Sequence, residues 1–208
     1  MTPSASSRFA FLFKGGRKER LEGGATFPSE FFYGYCEMVK AGYPVTFIDE
    51  RDLTPSTRLG ALAKAAVRLI ARLAPRLPFA SSYLFALMKR QPLHKLNAFE
   101  GLIATTNTFG YCLAILRRLR LLKARVYFIA MGAIPHHLPA WQGRFLAWLL
   151  RTTELIVISE GEREILKEIL HGQRIDLLPF GVDVSFWSPG QIVADPPYVL
   201  SIGNAQHR

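Results

Sequence analysis

Glycine pairs beside basic residues, a run of hydroxyl and amide side chains, and two adjacent histidines are the parts of this chain that could handle a polar or anionic ligand. An apolar run over 8–13 is followed by Lys14-Gly15-Gly16, the charged stretch Arg17 to Glu22, and then Gly23-Gly24. Glycine lets a backbone approach a phosphate closely, and a following helix N-terminus offers unpaired N–H groups and a partial positive charge. Gly23 and Gly24 fit that role better than Gly15-Gly16 because they adjoin a predicted helix, although a glycine pair is equally at home in a plain loop. Thr105, Thr106, Asn107 and Thr108 group four side chains that could hold a sugar or a polar head group. Alternatively, Thr106 or Asn107 caps the next helix. His136 and His137 follow Pro135 and could hydrogen-bond ligand hydroxyls or stay exposed in a turn. Ser159 and Glu160 open a further helix, where Ser159 serves equally as a cap and Glu162 completes a capping box.

These groups need elements to position them. Short apolar runs bounded by Gly, Pro or charge predict strands at 8–13, 44–49, 101–105, 125–130, 154–158 and 175–178. They lack the polar alternation of half-exposed strands, as expected when both sheet faces are covered. Between them, Pro28 to Ala41 reads as one helix with Pro in its first turn and Gly42 past its end. Further helices are predicted at 107–121, 141–152 and 160–170. Strand and helix alternation of this kind predicts an α/β fold, a mostly parallel sheet with helices on both faces. Ligands in such a sheet bind beyond the carboxyl ends of the strands, where the loops above lie.

The charge is uneven. Of the net +10, residues 51–125 carry 14 Lys or Arg against Asp52 and Glu100 alone, net +12. Lys64, Arg68, Arg72 and Arg76 are four apart and form one stripe on a helix whose remaining circumference is rich in leucine. Such a helix suits an anionic membrane surface, the cations meeting head groups and the leucines the acyl boundary. The alternative is a surface helix packing its apolar side on the sheet. No motif of a nucleic-acid-binding module accompanies these residues, so no nucleic-acid partner is expected.

Several classes are excluded. No run reaches the roughly 18 uncharged apolar residues of a membrane span, and residues 1–13 lack a signal-peptide pattern. A cytoplasmic location is expected, with peripheral attachment to the inner face of the cytoplasmic membrane. Cys36 and Cys112 belong to no C-x-x-C pair and read as buried reduced thiols. No metal site is expected. The complete G-x-G-x-x-G fingerprint is absent after the first strand, which counts against a nicotinamide oxidoreductase.

The last thirty residues are the most specific. Leu177-Leu178-Pro179-Phe180-Gly181-Val182-Asp183, then Phe186, Pro189 and Tyr198 to Gly203, resemble the crossover between the two Rossmann-like domains of GT-B glycosyltransferases, particularly glycosyltransferase family 4. Glu154 to Ser159 resembles the family's Asp-x-hydrophobic-hydrophobic-x-Ser strand, with Glu154 replacing the Asp. Phe180 replaces the family's usual Asn in the crossover.

The resemblance implies the N-terminal domain of a GT-B fold over 1–182, an interdomain linker over 183–197, and over 198–208 the first strand of a missing second domain. It implies transfer of a sugar from a nucleotide-sugar, the co-substrate, to a lipid-linked or polysaccharide acceptor, with retention and without an essential metal or other cofactor. By the same resemblance Gly23 and Gly24 face the donor phosphates. Thr105, Thr106, Asn107, His136, His137, Ser159 and Glu160 border the acceptor cleft, and Gly181 and Asp183 form the interdomain turn. The family's usual His after the fourth strand is here Ala130-Met131-Gly132, so no catalytic residue is assigned, and the chain alone is expected to be inactive. Two alternatives stay open: a non-catalytic membrane-binding acceptor subunit of a split glycosyltransferase, and a free-standing nucleotide-binding α/β protein.

Overall fold

The computed structural model describes residues 8–22, 27–53, 81–134, 139–184 and 186–187, together with positions 65, 68, 69 and 72. Six strands form one sheet: β1 (Phe9–Phe13), β2 (Val45–Asp49), β3 (Gly101–Ala104), β4 (Arg125–Ala130), β5 (Glu154–Val157) and β6 (Ile175–Leu177). All five pairings are parallel, in the order β2-β1-β3-β4-β5-β6. The helices are α1 (Arg17–Glu22), a 3-10 turn (Ser29–Phe32), α2 (Tyr35–Lys40), α3 (Glu50–Leu53), α4 (Ser81–Leu87), α5 (Arg90–Asn97), α6 (Asn107–Arg118), α7 (Ala140–Leu150) and α8 (Glu160–Ile169). This is the expected α/β architecture, a Rossmann-like parallel sheet flanked by helices.

The two faces of the sheet are unequal. Register places Ile48, Leu12, Ala104, Phe128, Leu155 and Ile175 in one row across all six strands, and every one is buried. They join Leu87, Leu96, Phe109, Leu146 and Leu166 from α4 to α8 in the main core. One residue earlier, the row Phe47, Phe11, Ile103, Tyr127 and Glu154 faces the other way. Its β1 end packs under the 3-10 turn and α2 in a small aromatic cluster of Phe11, Phe13 and Phe32. Toward β5 it opens: Tyr127 and Ile156 are half-buried, and Glu154 is exposed.

The predicted helix 28–41 is interrupted at Tyr33-Gly34, both in the left-handed region with φ of 52° and 85°, so it divides into a 3-10 turn and α2. Glycine takes that conformation without steric cost, and Tyr33 follows it into the break. Gly110 on α6 lies so close to β4 that a Cβ there would stand 2.4 Å from the Phe128 ring. A glycine at this point brings helix and sheet together closely, and Phe128 is itself fully buried.

Both predicted caps on α6 and α8 form. Thr106 accepts the Phe109 N–H at 3.4 Å and Ser159 accepts the Glu162 N–H at 3.3 Å. The capping box is only half made, because the Glu162 side chain accepts the Ala133 N–H at 2.9 Å. Tertiary contact with the loop after β4 takes the carboxylate that local geometry would have sent back to Ser159. Of the two thiols, Cys112 is buried as expected, while Cys36 on α2 is only half-buried.

Candidate functional site

Chain order fixes where a ligand could sit. From β1 the sheet grows outward to β2, and the next strand, β3, lies on β1's other side. The crossovers therefore diverge between β1 and β3, the position at which ligands bind beyond the carboxyl ends of an open parallel sheet. The loop after β1 is Lys14-Gly15-Gly16, with Gly16 at φ +89°. Its Gly15 N–H donates to Glu50 Oε2 at 3.1 Å, and Arg51, which pairs with Glu19, lies against Gly15. The Glu50 carboxylate from the β2 end thus already engages this loop.

Beyond β3, the hydroxyl and amide run makes internal bonds. Thr105 is buried and donates its hydroxyl to the Leu12 carbonyl at 2.7 Å, tying β3 to β1. Asn107 donates Nδ2–H to the Met131 carbonyl at 2.7 Å and accepts the Met131 N–H at Oδ1, at 3.3 Å. These bonds clamp the loop after β4. Thr106 is the cap of α6, the capping alternative, and Thr105 and Asn107 have structural bonds of their own; Thr106 and Asn107 remain half-buried. Ser159 caps α8, and Glu160 pairs with Arg163 at 2.7 Å.

The open concavity lies on the half-covered sheet face. A groove of about 580 Å³ runs over Phe9, Phe11, Ile103, Tyr127 and Ile156 beside Tyr33 and Glu37. It continues into a pocket of about 300 Å³ under the segment 178–183, and the two share Tyr33, Gly34, Glu37, Ile129 and Leu178. The floor is aromatic and aliphatic. The rim is polar, formed by Glu30, Glu37 and Asp183. An apolar trough with a few polar groups at one end is the usual form of a small-molecule site.

Asp183 closes this end. Its Oδ2 accepts the Ser29 N–H at 3.1 Å, and its own N–H donates to Glu30 Oε2 at 3.1 Å. The other Glu30 oxygen accepts Trp187 Nε1–H at 2.6 Å. Asp183 Oδ1 and the Asp183 carbonyl both accept the Phe186 N–H, and the carbonyl also accepts that of Trp187, making a tight turn. Glu30 and Asp183 are therefore spent on holding the segment 178–183 at the groove. Glu37, exposed at the rim, makes no side-chain hydrogen bond among the described residues and is the carboxylate free to meet a ligand.

Of the residues expected at the site, Gly181 and Asp183 line the pocket end. Gly23, Gly24, His136 and His137 lie outside the described residues, as do Lys64 and Arg76 of the basic stripe. Arg68 and Arg72 are helical and exposed. Sequence reading missed Glu30 and Tyr33, which contact Asp183, Trp187 and Phe180 about 150 positions away, and Glu37 on the groove rim. It also missed Arg17, which donates to the Phe31 carbonyl and lies 6.0 Å from the Tyr33 ring. An aromatic-rich stretch with two acids, Phe27 to Glu37, was the available signal. Among the described residues no group of His, Cys, Asp and Glu is placed to hold a metal ion, and no helix is long and apolar enough to cross a membrane.

Fold and groove together define a doubly wound, Rossmann-like domain with an amphipathic ligand trough. No family model, no curated protein and no solved structure matches the chain.

Proposed function

We propose that this chain is the acceptor-side half of a GT-B glycosyltransferase resembling family 4, acting in sugar transfer from a nucleotide-sugar to a lipid-linked or polysaccharide acceptor with retention. The supporting observation is the groove beside the crossover: an apolar trough that ends in a polar rim at the carboxyl edge. An amphipathic acceptor needs those two surfaces in that order, chain along Tyr127, Ile156 and Leu178 and sugar toward Glu37. The segment that resembles the interdomain crossover is the one pinned at this rim, so a donor domain following it would face the acceptor sugar.

Within this chain the roles are binding and orientation. Apolar burial along the trough stabilises at about 25 cal/mol per Å², and Glu37 can accept from a sugar hydroxyl. On this reading Gly23 and Gly24 would face the donor phosphates, and most donor contacts and the transfer step would fall to a donor domain.

The test is titration of the chain with a short-chain alkyl glycoside below its micelle concentration, followed by Trp fluorescence, in parallel with a nucleoside diphosphate. The glycoside should bind, and Leu178→Asp, placing a charge on an exposed groove residue, should weaken it roughly tenfold, about 1.4 kcal/mol. Tight nucleotide binding without glycoside binding would overturn the proposal in favour of a free-standing nucleotide-binding protein.

A further inference from the structure

Helix α7 carries a pattern that the groove does not use. Its exposed side chains include Trp141, Arg144 and Trp148, with Arg151 following at its C-cap. At about 100° per residue these four fall within roughly 80° of arc, and the two indoles stand about 10 Å apart along the axis. Trp141 is 53% and Trp148 48% exposed, and α7 contains no acidic residue. Large aromatics this open on a helix that buries its other side are unusual unless something covers them.

The stripe leads into a basic cleft at the amino edge of the sheet, about 790 Å³ in volume, lined by Arg117, Arg118, Arg120 and Arg151. Among the described residues its one carboxylate is Glu154. Arg117 is a brace, donating to the carbonyls of Lys123 and Ala124. Arg118 is another: it donates to the Trp148 carbonyl at 2.6 Å and lies 4.2 Å over its ring. Arg120, Arg144 and Arg151 are exposed and make no side-chain hydrogen bond or ion pair among the described residues. Favourable placement at a helix C-terminus accounts for Arg151. It does not account for Arg144 in mid-helix between two exposed tryptophans.

We infer that the Trp141–Arg151 face of α7, with the adjoining arginine cleft, docks on an anionic phospholipid surface. Charge complementarity names the occupant. Guanidinium groups bind phosphodiester oxygens in bidentate fashion, and indoles settle at the head-group level, where one edge stays wet. Single-stranded nucleic acid shares the phosphate chemistry but needs free ring faces to stack its bases. Arg118 already lies 4.2 Å over the Trp148 ring and the Phe145 ring stacks at 5.9 Å, so part of the ring surface a base would stack on is taken. The surface is separate from the groove and carries its own consequence whatever the groove binds.

The test is co-sedimentation of the full chain with phosphatidylcholine vesicles containing or lacking phosphatidylglycerol, with Trp emission recorded. Binding should require phosphatidylglycerol and shift emission to shorter wavelength. Each basic residue at such a surface contributes a factor of roughly five, so Arg144→Gln/Arg151→Gln should lower partitioning about 25-fold. Trp141→Ser should weaken it at unchanged lipid charge, and all three positions are exposed, so the fold should survive. Arg68→Gln/Arg72→Gln tests the other basic stripe. Binding indifferent to lipid charge, loss confined to the Arg68/Arg72 variant, or capture of single-stranded RNA in place of vesicles would each overturn the inference.

Discussion

The Asp183 carboxylate caps the backbone N–H of Ser29, 154 residues earlier in the chain, at 3.1 Å. Pro28, at the N-cap position of the 3-10 turn, offers no side-chain acceptor, so the cap arrives from the far end of the domain. Glu30 in that turn receives the Asp183 N–H in return. The reciprocal pair fastens the segment 178–183 at the groove.

Breaking this pair should loosen the groove more than the core. Asp183→Ala removes a cap and should cost about 1 kcal/mol, within the 0.5–2 kcal/mol range for lost N-caps. Asp183→Asn keeps an acceptor and should cost less. Urea unfolding monitored by Trp fluorescence checks both, and an Ala variant as stable as the parent would show that the cap contributes nothing.

Gly110→Ala should destabilise by roughly 1–3 kcal/mol, because the added methyl meets the Phe128 ring in a core with no slack. The clash distance of 2.4 Å leaves no tolerable position without moving helix or ring. Thermal unfolding against Gly143→Ala, where nothing lies within 4 Å of the new atom, separates overpacking from glycine's backbone effect.

The fold should weaken in alkali. Burial pushes the Cys112 thiol from an ordinary 9.0 up to about 12. Between those values the folded protein keeps a proton that the unfolded chain releases. This contribution to stability is therefore intact below about pH 9 and declines as pH rises toward 12. Burial of Tyr83 and Tyr111 raises both phenols and adds to the loss above their ordinary 10.0. Denaturant midpoints measured from pH 7 to 10.5 should fall, and Cys112→Ala should make the lower part of that fall shallower.

The two thiols should differ in reactivity at pH 8. Cys36 is half-buried and Cys112 fully buried. Burial raises both thiols, so the order rests on access: iodoacetamide should modify Cys36 in the native protein and reach Cys112 only on unfolding. Peptide mass mapping before and after denaturation reads the order, and equal labelling of both in the native state would contradict it.

Glu162→Ala should cost about 1 kcal/mol by leaving the Ala133 N–H without its partner, while Glu162→Gln keeps an acceptor and should cost less. Amide exchange at Ala133, faster in the Ala variant, distinguishes this contact from loss of a capping box, which would instead quicken Ser159.

All six strands were legible because their signal is local: Phe9 to Phe13 or Val126 to Ala130 are apolar runs between punctuating residues, and no other element suits so short a stretch. The caps Thr106 and Ser159 and the stop at Gly42 were legible for the same reason. The break at Tyr33-Gly34 was not, since a helical pattern persists on both sides of it.

The site was less legible. Thr105 and Asn107 have side chains that suit a sugar as well as a carbonyl, and only the neighbouring Leu12 and Met131 carbonyls show which they serve. Glu30, Tyr33 and Glu37 sit in an aromatic-rich stretch that marks the segment but not which of its side chains face the groove. Composition and periodicity sufficed for an α/β domain with buried parallel strands and a basic middle, because burial and helix geometry act over a few residues. Which sheet face stays open, which carboxylates are spent on Ser29 and Trp187, and which arginines stand free beside Trp141 and Trp148 were decided by tertiary packing. Those outcomes hang on contacts between residues far apart in the chain, and such contacts leave no periodic trace in the sequence.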